Sequence, residues 1–199
     1  MECYILSLDS SYETYSIALS NKQKILYNFT EYKPSRAAEM LVPEVMECLK
    51  RTSINFQQIN YLAVTKGPGS FTGIRIALSA AMGFLIANKN LKPIVLDSFI
   101  FYHHRAAQQV QEFDYNVVLL SAYRDSAYVS IKDKTNRLLF EPALLSKEQI
   151  ISLLQQNAPH KVICSGNYLD KIYKDIMHFE NVTLLPRFRH INARILCSI

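Results

Sequence analysis

Three of the chain's five glycines fall within one short segment, Gly67-Pro68-Gly69-Ser70-Phe71-Thr72-Gly73, which runs on into Ile74 and Arg75. Glycines placed between a strand and a helix leave backbone N–H groups free to face an anion. The Gly-x-Gly-x-x-x-Gly spacing is nevertheless one residue longer than the dinucleotide fingerprint, and no Gly-Lys-Ser/Thr ending of a triphosphate loop follows it. Pro68 also withholds an N–H that a phosphate cradle would use. A tight turn that lets the next helix pack closely accounts for the segment better. An oxidoreductase built on Gly67–Gly73 and Asp97 therefore lacks the fingerprint it needs.

The other chemistry-bearing residues are scattered. Asp9 ends an apolar run and precedes Ser10 and Ser11. It either holds a magnesium-bound water or orders the Ser10-Ser11 turn, and the second is favoured. The five histidines include no pair at metal-binding helical spacing. Adjacent His103 and His104 point about 100° apart on a helix, an awkward geometry for one ion, and are expected at exposed or linker positions. Cys3, Cys48, Cys164 and Cys197 form no CxxC pair and read as buried thiols. No Ser/His/Asp or Cys/His grouping supports nucleophilic catalysis. Arg187, Arg189, His190 and Arg194 cluster beside Phe188, a mix that could hold phosphate and stack a base or could simply solvate a surface.

The elements that must position these residues follow a repeated order. Alternating apolar positions predict strands at Cys3–Leu8, Tyr15–Ser20 and Ile25–Phe29. A helical stretch follows Pro34-Ser35, with Leu41, Val45, Cys48 and Leu49 on one stripe, and Pro43 predicts a kink or a start near it. Strand Ile59–Thr65, helix Gly73–Asn88 and strand Pro93–Leu96 complete βββαβαβ. After a connecting helix, Ser98–Gln111, the order repeats. Strands are expected at Val117–Leu120, Ala127–Ile131 and Arg137–Phe140, then a helix capped by Ser146, strand Lys161–Cys164, helix Tyr168–Met177 and strand Val182–Leu185. Ile191–Cys197 is expected to add a short helix. This predicts an α/β protein of two ribonuclease-H-like lobes in tandem, the actin/hexokinase-like arrangement. The expected divisions are 1–97 for the N-terminal lobe, 98–113 for a connecting helix and 114–199 for the C-terminal lobe.

The helix after the glycine segment is apolar nearly all round, with Arg75 its one charge between Gly73 and Ala87. Such a helix is normally buried on every side, and it is too short to span a bilayer. One face can pack on its own sheet; the other needs the Pro43 helix or another subunit. The chain as a whole, 199 residues with 49% hydrophobic and 20% charged residues, suits a folded protein of two modest lobes. It has no tract long enough to cross a membrane, and its first residues lack the basic start and long apolar run of a signal peptide. A cytoplasmic location is expected. The formal charge of +5 is compatible with an RNA partner and equally with a mildly biased surface.

The segment Gly67-Pro68-Gly69-Ser70-Phe71-Thr72-Gly73-Ile74-Arg75 resembles the GPGSFTGxR signature of the TsaB (YeaZ) family. Ile5–Ser11 is similar to that family's first strand and its Asp-Thr-Ser turn, with Ser10 in place of threonine. Leu41-Val42-Pro43 resembles the Leu-Leu-Pro of its first helix. The resemblance implies a non-catalytic subunit of the tRNA threonylcarbamoyladenosine (t6A) transferase complex, with no cofactor or metal of its own. It implies pairing with a TsaD-type catalytic subunit, cooperation with a TsaE-type ATPase, contact with tRNA through the complex, and homodimers. The contacts it implies come from helices at Ser35–Arg51 and Gly73–Asn88, which points to Leu41, Val45, Leu49, Ile74, Ala77, Ala80, Ala81 and Phe84. The chain departs from the family at Ser121-Ala122-Tyr123-Arg124, where many members carry an Asp at the first position. The alternative, an independent ATPase or kinase working at Asp9, would need that second acid and more glycine than Gly166 alone.

Overall fold

The computed structural model describes residues 2–185 and 191–196. In the first lobe, β1 (Tyr4–Asp9), β2 (Tyr15–Ser20) and β3 (Ile25–Glu31) form an antiparallel meander. Then come α1 (Ala37–Thr52), β4 (Ile59–Thr65), α2 (Phe71–Ala87) and β5 (Lys92–Leu96). The sheet order is β3-β2-β1-β4-β5, with β4 parallel to both β1 and β5. Successive residues of a strand face opposite ways. Leu6, Leu8, Ile17, Leu19, Leu62 and Val64 accordingly line one face and form the core with Leu41, Val45, Leu49, Ala77 and Ala81 of the two helices.

The second lobe repeats this order. It contains β6 (Tyr115–Ser121), β7 (Ser126–Asp133), β8 (Leu138–Ser146), α4 (Lys147–Gln156), β9 (Val162–Ser165), α5 (Leu169–Ile176) and β10 (Val182–Leu184). Its sheet order, read from the matching edge as β8-β7-β6-β9-β10, has the same pairing directions as the first. Each lobe has its own hydrophobic core. The tandem ribonuclease-H-like architecture expected from element order is therefore the observed one.

Two helices divide differently from the expectation. α3 (Ser98–Gln109) is not a free connector. Its residues from Phe99 onward belong to the second unit, where Asn116 Nδ2 donates to the His103 carbonyl at 2.9 Å and His103 Nε2 lies 3.0 Å from Ser130 Oγ. The chain end does the reverse. Residues 191–196 group with the first lobe, on whose sheet α6 (Ala193–Leu196) packs, mainly against β2 and β1. The Ala193 N–H donates to Ser16 Oγ at 2.9 Å, Asn192 Nδ2 donates to Thr30 Oγ1 at 3.0 Å, and Ile191 and Ala193 are fully buried.

Local signals explain most boundaries. α1 follows a single 3-10 turn at Pro34–Arg36 and carries Pro43 inside it. Pro43 faces solvent, so the missing N–H is lost without a break in the helix, which starts six residues before it. α2 begins at Phe71, two residues before the expected Gly73, because the Ser70 hydroxyl caps it by accepting from the Gly73 N–H at 3.2 Å. Ser146 caps α4 in a capping box with Gln149, as the sequence suggested. β8 runs to Ser146, well beyond the expected Phe140, through register shifts opposite Val129, Ile131 and Lys132. Among the described residues no helix is long and apolar enough to cross a membrane.

Candidate functional site

The glycine segment is built against the turn after β1. Ser70 N–H donates to the Ser11 carbonyl at 2.6 Å, and Ser10 Oγ donates to the Gly73 carbonyl at 2.7 Å. Tyr12 Oη donates to the Pro68 carbonyl at 2.9 Å, and the Ser98 N–H to the Gly67 carbonyl at 2.8 Å. A Cβ on Gly69 would come within 2.5 Å of the Ser11 carbonyl oxygen, and one on Gly73 would overlap the Ser10 carbonyl oxygen. Gly67 has φ +101°, in the region that favours glycine. The glycines are thus required for close approach and backbone conformation. The N–H groups of Ser70, Gly73 and Ile74 are already engaged within the segment and turn, so it is ill suited to cradling phosphate. Its product is a fixed start for α2.

Asp9 holds the other side of this junction. It is fully buried and accepts from Ser11 N–H at 3.2 Å, from Ser11 Oγ at 2.8 Å and from Thr65 Oγ1 at the end of β4. Burial pushes its carboxyl up from 3.8 to about 6, with the Thr65 and Ser11 bonds opposing the rise. It shares a sheet face with its register partner Ser16, to which the chain end is bonded. Of the two roles open to Asp9 from sequence, the geometry fits the turn-ordering one. A nucleotide or metal would have to displace packed protein to reach it, which weighs against the ATPase alternative.

The junction presents α1 and α2 side by side, and their outer surface is uncovered. An open groove of about 450 Å³ runs between them, lined by Ala38, Leu41, Val42, Phe71, Thr72, Arg75, Ile76, Ser79 and Ala80. Phe71, Met82 and Ile86 of α2 are 67%, 64% and 69% exposed, and Val42 and Met46 of α1 are exposed as well. Arg75 lies over Phe71, with Cζ 3.7 Å from the ring centroid. Arg75 is the one charged side chain lining the groove, and exposed apolar surface of this kind is typical of sites where proteins interact.

The residues expected to touch a partner need correction. Leu41, Val45, Leu49, Ala77 and Ala81 are buried in the lobe's own core. They face the sheet because their spacing places them on the inward stripe of each helix. Leu41 reaches the groove only as its floor. Ile74, Ala80 and Phe84 are half-buried; Ala80 borders the groove, and Phe84 packs on Phe56 with ring centroids 5.5 Å apart. The exposed side chains are instead Val42, Met46, Phe71, Arg75, Ser79, Met82 and Ile86. No local cue in the sequence separates the two sides of α2, which is apolar nearly all round.

In the second lobe, the Ser121 N–H donates to Asn167 Oδ1 at 2.8 Å, and a Cβ on Gly166 (φ +112°) would overlap the Leu119 carbonyl oxygen. These contacts hold a turn. His103 is not exposed as expected but almost fully buried, and burial lowers it to about 3, so it stays neutral. Cys48 and Cys164 are buried, and burial pushes the Cys164 thiol up to about 12. Among the described residues no group of three or more metal-ligating side chains comes together. Arg187, Phe188, Arg189 and His190, and Cys197, lie outside the described residues, while Arg194 is exposed on α6.

The family model described as "TsaD: tRNA N6-adenosine threonylcarbamoyltransferase" matches residues 33–181. A "tRNA threonylcarbamoyladenosine biosynthesis protein TsaB" from Buchnera aphidicola of Baizongia pistaciae is 28% identical over 201 aligned positions, covering 96% of this chain and 88% of that protein. A protein of the same description from Buchnera aphidicola of Acyrthosiphon pisum is 35% identical over 89 residues, covering 45% of this chain and 40% of that protein. A crystal structure from Pseudomonas aeruginosa, described as similar to peptidase YeaZ, superposes with TM-score 0.79 at 22% identity, covering 98% and 89% of the two chains. A Bacteroides thetaiotaomicron protein described as having an actin-like ATPase fold superposes with TM-score 0.52 at 10% identity, covering 98% and 95%.

Proposed function

We propose a role that follows from family and surface together: the chain belongs to the TsaB (YeaZ) branch of the tRNA N6-adenosine threonylcarbamoyltransferase family and serves there as a docking subunit. It works in threonylcarbamoyladenosine biosynthesis with a TsaD-type subunit. In this reading it is not itself the catalyst. Its α1–α2 face scaffolds the TsaD-type subunit, which carries out the transfer to the adenosine next to the anticodon, in the cytoplasm, with a TsaE-type ATPase and tRNA joining through the complex. Homodimers form through the same face when that subunit is absent.

The observation that carries the reading is the uncovered apolar surface of α1 and α2. Covering Val42, Met46, Phe71, Met82 and Ile86 removes about 1–2 kcal/mol of apolar exposure per side chain, given their present partial burial. Lost translational and rotational freedom opposes this gain. The signature segment supports the reading by fixing where α2 begins, so that the face is formed before a partner arrives. A buried Asp9 engaged by Ser11 and Thr65 supports the absence of independent nucleotide chemistry.

The test is calorimetric titration of the full chain with a TsaD-type subunit, using wild type and Met82→Glu. Met82 projects into solvent, so the substitution leaves the monomer folded and places a charge in the apolar contact. Tight association of wild type and its loss in Met82→Glu are expected, with tRNA modification falling in parallel. A wild-type chain that never associates would defeat the proposal. Ala81→Glu is unsuitable, because Ala81 lies in the core.

A further inference from the structure

Arg75 is the one charged side chain among the seventeen residues of α2. It stands near the positive end of the helix, whose first turn contains no acidic residue, so the helix field does not favour a cation there. No salt bridge to it occurs among the described residues. Its contact is the Phe71 ring, over which the guanidinium is held at the margin of an apolar groove. Nothing in the lobe's own stability accounts for a cation at this place. If the groove is covered, the cation is covered with it, and a buried charge without a partner is strongly unfavourable.

We propose that Arg75 is the polar key of the docking face, and that the partner subunit presents a carboxylate side chain to its guanidinium. This inference rests on the docking role proposed above. The chemistry favours a carboxylate over a phosphate. The groove offers one cation between walls of Ala38, Leu41, Val42, Ile76 and Ala80, and the nearby N–H groups of Ser70, Gly73 and Ile74 are already engaged. A phosphate would bring more negative charge than this site can match. A single carboxylate is matched in charge and in shape by the planar, forked donors of arginine. Stacking on Phe71 limits the freedom the side chain has to lose on pairing. Arg75 is thus a specificity-determining residue: a partner with an apolar helix but no acid at this position is rejected.

The experiment uses the full chain and an intact TsaD-type subunit, titrated by calorimetry at low and high salt. Arg75→Met is expected to weaken association by at least about tenfold, the range for truncating one member of a covered charge pair, and to flatten its salt dependence. Arg75→Lys keeps the charge and is expected to retain part of the affinity. Neutralising the partner's acids one at a time is expected to find one whose loss is not additive with Arg75→Met. The proposal is overturned if Arg75→Met binds with wild-type affinity and salt dependence, if no such acid is found, or if the variant loses self-association alone. Failure of the wild-type chain to associate at all would instead overturn the docking role. Arg75 is exposed, and an unchanged melting temperature confirms that each variant is folded.

Discussion

Gly83 offers the sharpest separation between what the lobe needs and what a partner needs. It lies inside α2, exposed, with Ser79 and Ala87 one turn away on either side. A Cβ built there meets no atom within 4 Å. Glycine in a helix interior costs about 1 kcal/mol relative to alanine, and no contact within the lobe requires it here. Gly83→Ala should therefore stabilise the isolated chain by about 0.5–1 kcal/mol, raising its melting temperature by a few degrees at about this chain length. Gly83→Leu should also leave the fold intact, since leucine is a good helix former and projects into open space. If the proposed partner helix docks on this face, the outcome reverses. Helices pack with axes about 8–10 Å apart, nearer where side chains are small. A leucine forced between them costs about 1–3 kcal/mol by overpacking. That corresponds to roughly 5- to 150-fold in Kd. Urea unfolding of each variant alone, and calorimetric titration with a TsaD-type subunit, measure the two quantities separately. If Gly83→Leu binds as wild type, the partner does not approach α2 at this turn. If Gly83→Ala destabilises the chain alone, the lobe constrains Gly83 in a way the contacts do not explain.

Two further predictions concern the junction beneath the face. Gly73→Ala places a Cβ onto the Ser10 carbonyl oxygen and should lower unfolding stability by at least about 2 kcal/mol, the middle of the range for overpacking; an unfolding midpoint equal to wild type would contradict the packing role of the segment. Asp9 has a folded value raised to about 6 from 3.8, so it binds its proton more tightly when folded, and the stability this contributes is full below 3.8 and lost as pH rises through 6. The stability difference between wild type and Asp9→Asn should therefore shift against wild type by about 3 kcal/mol from pH 3.5 to pH 7.5. Urea titrations across that range measure it, and a difference that does not vary with pH would show that Asp9 is not the titrating group.

Much of the architecture was legible because it is written locally. The polar turn Asn21–Lys24, the alternation in β1 and β2, and the Ser146 cap each act within a few residues, and the two lobes follow from the order of such elements. The glycine segment was legible as a tight turn before its partner was known. The identity of that partner, the Ser10 and Ser11 carbonyls some sixty residues earlier, was not. The burial of His103 was missed for the same reason: Ser130 and Asn116, which surround it, belong to strands that the sequence could not place against α3.

By itself the sequence determined the kinds of element, their order, the segment at Gly67–Arg75 and an apolar helix with more hydrophobic surface than one sheet can use. The tertiary structure alone decided which side of that helix is spent inside. Helical periodicity reports that Ala77 and Ala81 share a stripe, but α2 is apolar nearly all round, so no local signal separates that stripe from Ser79, Met82 and Ile86. The sheet makes the separation by covering the first set and leaving the second in water. It is likewise only in three dimensions that α6 returns to β1 and β2, because the Ala193 N–H finds its acceptor in Ser16, 177 positions earlier in the chain.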